Sequence, residues 1–132
     1  MSMDSPPAPA PADTRLAIIV ESLYLANLLL APALAYGIIL WIRFSRRAAD
    51  LPLARCHLAQ AVRAGLLGVI LPAVTIAFIV ANGGFTSLAT WVAAEVYIIF
   101  IHTPLILLGL VGLLRAMSGK PYVFPLIGAR CN

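Results

Sequence analysis

The chain has 132 residues; 62% are hydrophobic, 11% are charged, and nine basic residues stand against five acidic ones. Soluble domains are roughly 45–50% apolar and about 25% charged, so this composition excludes an ordinary water-soluble fold and leaves room for one small membrane unit. The net charge of +4 does not argue for a nucleic-acid partner, because the basic residues flank apolar runs and mark topology.

Residues 1–13, MSMDSPPAPAPAD, alternate Pro and Ala and predict an extended, disordered tail. They lack the basic n-region of a secretory signal. Residues 14–132 follow as one membrane domain, with Asp13 or Thr14 as N-cap of its first helix.

Three apolar runs come next: Ala17–Ile42, Ala64–Ala81 and Leu88–Leu114. A spanning helix needs roughly 20 apolar residues, and in lipid a helix satisfies its own backbone. The expected fold is therefore all-α, an integral bundle of three transmembrane helices. In the first run Pro32 predicts a kink, Ala31, Ala33, Ala35 and Gly37 give a small-residue face, and Trp41 suits the interface. Pro52 predicts a helix start. From Pro52 to Arg63 we expect an interfacial amphipathic helix that leads unbroken into the second span. That span carries Gly65, Gly68, Ala73, Ala77 and Ala81 as a small-residue stripe, and Pro72 as a second kink. Asn82-Gly83-Gly84 is a turn, which makes the second and third spans antiparallel neighbours. The third holds Glu95, His102 and Pro104 and stops at Ser118-Gly119. Tyr122, Val123 and Phe124 are expected to settle in the headgroup layer.

Charge then sets an expected topology. Arg43, Arg46, Arg47, Arg55, Arg63, Arg115, Lys120 and Arg130 fall on one side of a three-span layout, and the loop Asn82–Ser87 carries no charge. The positive-inside rule predicts a multi-pass protein of the bacterial inner membrane, N-terminus outside and C-terminus cytoplasmic. Cys56 and Cys131 then lie on the reducing side as free thiols, without metal-ligand spacing.

Ionisable groups inside spans are functional candidates. Here they are Glu21, Glu95 and His102, with Asn27 as a further polar group. Glu95 and His102 are seven residues apart, so they share a helix face with an axial rise of about 10 Å, too far to ligate one metal. Packing against a neighbouring helix is the plainest reading; an ion or proton route and a partner-subunit contact are the alternatives. His102 is the candidate for a haem or pigment ligand, disfavoured because bulky Ile98 stands four positions before it and His57 lies in another segment. No cofactor, metal ligand or catalytic residue is expected: there is no Walker loop, HExxH or nucleophile elbow.

Two segments carry a resemblance. Arg55-Cys56-His57-Leu58-Ala59-Gln60-Ala61 resembles a his-x-x-gln-ala stretch leading into a second span, and Leu114-Arg115-Ala116-Met117-Ser118-Gly119-Lys120-Pro121-Tyr122-Val123-Phe124-Pro125-Leu126-Ile127-Gly128 resembles an ala-x-x-gly-x-x-tyr-x-x-pro ending. Both are similar to a class of small bacterial membrane proteins of unknown function, distantly similar to the Tic-twenty-type chloroplast import component. The resemblance covers about residues 35–128. It implies a helical bundle with His57 and Gln60 on the cytoplasmic side and no settled activity. Val62-Arg63-Ala64 stands where that class has an aromatic. Physically, His57 and Gln60 share one helix face and are candidates to clasp the segment holding Gly119, Tyr122 and Pro125.

The expected role is non-catalytic: an accessory or scaffolding subunit in the lipid bilayer, packing against other membrane-protein subunits. The alternatives are a homo-oligomeric proton, ion or small-solute transporter component lined by Glu21, Glu95 and His102, and a pigment- or haem-associated subunit.

Overall fold

The structure is a computed structural model that describes residues 7–131. Its regular structure is all helical, with no strand among the described residues. Helix α1 runs Pro11–Leu29, α2 Leu34–Phe44 and α3 Pro52–Ala81; α4 (Leu88–Tyr97), a π turn (Ile98–His102) and α5 (Thr103–Met117) form one continuous fourth helix. Two helices are long and apolar enough to cross a membrane, Pro52–Ala81 and Leu88–Met117, at 30 residues each, about 45 Å.

The run Ala17–Ile42 corrects the expectation of a single kinked span. It is two helices. Pro32 has no N–H to donate, which weakens the helix there, and Ala33 takes a φ of 68°, reversing the chain. Asn27 holds the reversal together. Its Oδ1 accepts the Ala33 N–H at 3.2 Å and its Nδ2 donates to the Gly65 carbonyl at 3.3 Å. Both halves of a buried amide are thereby satisfied.

The direction of each limb follows from its contacts. Along α1, Asp13 accepts from the Leu53 and Ala54 N–H groups, and Asn27 reaches Gly65, so α1 runs parallel to α3. Tyr36 donates to the Val62 carbonyl, and Arg43 and Arg46 share a cavity with Arg55 and Leu58, so α2 returns antiparallel to α3. The hairpin tip reaches Gly68, where a Cβ would meet Leu28, about halfway along α3. The N-terminal end of α1 therefore lies beside the start of α3 and the end of α5. This corrects the expectation that the segments before the first run and after the third lie at opposite ends of the bundle.

Local chemistry explains the helix ends. Pro11 opens α1 and Pro52 opens α3 as first-turn prolines. The expected disordered tail ends earlier than Asp13, because Pro11–Asp13 are helical; residues 1–6 lie outside the described residues. Asp13 does cap a helix, but α3 in place of its own: its carboxylate takes two N–H groups at the start of α3, where the helix dipole favours a negative charge. Gly119, with φ 64°, closes α5. Its N–H donates to the Ala116 carbonyl and Lys120 N–H to the Arg115 carbonyl, the pairing of a Schellman end.

Pro72 sits inside α3 without interrupting it. Pro104 is absorbed differently. The π turn widens the helix just before it, and the Thr103 hydroxyl donates to the Ile98 carbonyl at 2.8 Å. The stretch Pro52–Arg63 continues unbroken into the long apolar helix, but it is not an interfacial amphipath. Leu53, Ala54, Cys56, His57, Leu58, Gln60 and Ala61 are all buried, because α1, α2 and the C-terminal tail cover three of its sides.

Candidate functional site

Glu21 on α1 and His57 on α3 meet at the centre of that covered end. Both side chains are 0% exposed, with His57 Nδ1 2.6 Å from Glu21 Oε1. His57 Nε2 donates to the Lys120 carbonyl at 3.0 Å, which fixes a proton on Nε2. The Nδ1–Oε1 contact holds one further proton, on either partner. Glu21 Oε2 has no hydrogen-bond partner among the described residues. It faces Gly112 of α5, where a Cβ would stand 2.6 Å from it. Glycine here leaves the space that the carboxylate occupies.

The same groove continues along α5. The Tyr24 ring fills the space above Gly109, and its hydroxyl donates to the Leu105 carbonyl at 3.0 Å. On α3, Gly65 receives Tyr36, and Gly68 receives Leu28 and Asn27. The small residues of both long helices thus admit side chains of the α1–α2 hairpin within one chain.

The C-terminal tail roofs the pair. Gln60 Oε1 accepts from Phe124 N–H at 3.4 Å and from Ala129 N–H at 3.0 Å, and its Nε2 donates to the Ala129 carbonyl. Arg63 donates to the Gly128 carbonyl at 3.3 Å. Phe124 is buried, with its ring 5.6 Å from Tyr24 and 5.4 Å from Tyr122. This corrects the expected headgroup position of that aromatic: it completes the protein core. Gly119 lies against Pro9 of the N-terminal segment, and Pro125 stays exposed, its carbonyl accepting from Ile127 N–H. Cys56 and Cys131 form a disulfide across 75 residues of sequence, which corrects the expectation of two free thiols. The fold-back of the tail along α3 brings them together, and no spacing rule reports that.

The other intramembrane candidates stand apart. Glu95 is exposed on α4. His102 is half-buried, and its Nδ1 lies 3.0 Å from the Tyr97 hydroxyl. The π turn Ile98–His102 interrupts the regular α-helical register between the two. Glu21, packed against Gly112 of α5, lies apart from both within the chain.

The pairing of Glu21 with His57 escaped the sequence reading because an unbroken first span puts Glu21 at the outer end and His57 at the inner one. Arg15 was the available signal. It is the single basic residue that the three-span layout leaves outside, and a hairpin returns it to the others. The pair can hold and exchange a proton. It lacks a third ligand, since no group of three His, Cys, Asp or Glu gathers for a metal among the described residues. No protein-family model, curated protein or solved structure matches the chain.

Proposed function

We propose that this chain is a non-catalytic accessory subunit of a larger membrane assembly, anchored by two spans and a re-entrant hairpin. The observation that carries this reading is Glu95. It is exposed on α4, with exposed Trp91, Val92 and Ile99 three or four residues away along the helix. A carboxyl turned toward lipid is costly. A transmembrane helix of another subunit, bearing a donor or cation at that depth, relieves the cost and covers the apolar surface at once. Against transport stands the separation of Glu21 from Glu95 and His102 described above.

Both ends of the chain belong on the cytoplasmic side in this reading. All nine basic residues sit on elements of the same end of the bundle, once the hairpin returns Arg15 there, and the opposite turn Asn82–Ser87 has no charge. The disulfide argues for an oxidising compartment, but one pair is outweighed by nine charges. In the cytoplasm the bond is open to the thiol pool. Kinship with the small bacterial membrane class, carried by residues 55–61 and 114–128, forms part of the same proposal.

The test is native mass spectrometry after extraction in mild detergent. The expected result is a co-migrating membrane protein that Glu95→Lys removes without lowering the thermal stability of the chain itself. A lone protomer, or a complex indifferent to Glu95→Lys, overturns the reading. Loss of ion or proton flux in Glu95→Gln vesicles, at unchanged assembly, favours the transporter instead.

A further inference from the structure

A cavity of about 330 Å³ opens where the end of α2, the turn after it and the first turns of α3 converge. Arg43, Arg46 and Arg55 line it above a floor that includes Ala48 and Leu58. No acidic side chain among the described residues lines it. Arg43 comes from the last turn of α2 and Arg55 from the first turns of α3. Arg46 joins them because the chain turns left-handed after α2, with a φ of 55°. Beyond the cavity the surface changes character. Arg55, Ala59, Val62, Leu66 and Ile70 follow one another at three- and four-residue steps and share a stripe of α3. Leu66 and Ile70 on that stripe are exposed. Cationic groups at the rim thus pass directly into an open apolar track along a helix long enough to span.

That sequence of surfaces matches an amphiphile with an anionic head. Guanidinium groups bind phosphate oxygens in pairs, and basic pockets at the ends of transmembrane helices bind anionic headgroups. The geometry points to this cavity as a binding site for the phosphodiester of an anionic phospholipid, with an acyl chain laid along Leu66 and Ile70. The inference rests on the membrane placement of α3 and is independent of any partner at Glu95. The apolar track distinguishes a lipid from a free phosphate, which needs none.

Arg55 has interactions of its own in this structure, so the test acts on Arg43 and Arg46. The full chain in neutral detergent is titrated with phosphatidylglycerol or phosphatidylcholine and read by native mass spectrometry. One phosphatidylglycerol per chain should survive activation that strips phosphatidylcholine. Arg43→Gln/Arg46→Gln should lower that selectivity by about tenfold or more, whereas Arg115→Gln/Lys120→Gln, which removes equal charge from the other side of the same end, should leave it. Arg43→Lys/Arg46→Lys keeps the charge should the glutamine variant fail to fold, and it should fall in between. Equal binding of the two lipids, or equal loss in both charge-removing variants, overturns the site. Displacement of the lipid by millimolar inorganic phosphate overturns the lipid and assigns a free anion.

Discussion

The two halves of the bundle are built on different principles. At the basic end, α1, α2, the first half of α3, α5 and the tail surround one another, and they bury polar side chains: Asp13, Glu21, Asn27, His57 and Gln60. Each of these bonds a partner on another element or across the hairpin turn. At the opposite end, the second half of α3 and α4 pack chiefly on each other, with Ile79 and Thr90 as their buried residues beyond Gly68. Val74, Ile76, Phe78, Val80, Trp91 and Val92 are bare. In lipid, helices gain little from hiding apolar surface, and association relies on close packing and hydrogen bonds. The basic end has both. The other end packs through Ile79, Thr90 and the Phe85–Trp91 ring pair, and leaves most of its apolar surface uncovered within the chain.

This contrast can be broken by substitution, and the largest effect belongs at its centre. His57→Leu leaves Glu21 buried without its partner and should cost about 3–5 kcal/mol, read as thermal or denaturant stability in detergent. Adding Glu21→Leu should recover most of that loss, because a buried pair replaced whole by apolar groups is often neutral. Failure of the double variant to recover would show that the pair has no private coupling. Gly112→Ala drives a methyl into the Glu21 carboxylate and should cost about 1–3 kcal/mol. Gln60→Leu orphans the Phe124 and Ala129 N–H groups and should cost about 1–3 kcal/mol. Limited proteolysis should then cut between residues 118 and 131, and faster once the disulfide is reduced. Val96→Ala on the bare face should change protomer stability by less than about 0.5 kcal/mol. A loss as large as that at Gly112 would mean that the bare half is packed after all.

Particular residues show where the sequence was legible. The apolar lengths of α3 and of Leu88–Met117, the start at Pro52, the turn at Asn82-Gly83-Gly84 and the stop at Ser118-Gly119 each depend on a local property of the backbone or on hydropathy. Pro32 predicts a kink, yet the same missing N–H serves a kink or a reversal. What decides is whether Asn27 finds Gly65 on α3, a contact 38 residues away. Asp13 was read as a cap, and only packing shows which helix it caps. Phe124 is an aromatic shortly after a long apolar helix, a position that suits an interface equally well until Tyr24 offers it a place in the core. The candidates His57 and Gln60 were visible as a face; their bonds to Lys120, Phe124 and Ala129 depend on where the tail lies.

The sequence alone determined an all-helical chain, its two helices long and apolar enough to cross a membrane and the gathering of positive charge near their ends, because hydropathy, helix-end chemistry and charge are properties of neighbouring residues. Tertiary structure alone decided that the first apolar run turns back, that Pro9 comes to lie against Gly119, that Glu21 faces His57 and that Cys56 joins Cys131. Those outcomes are set by which small residue stands opposite which large one across a helix interface, and no spacing along the chain records that.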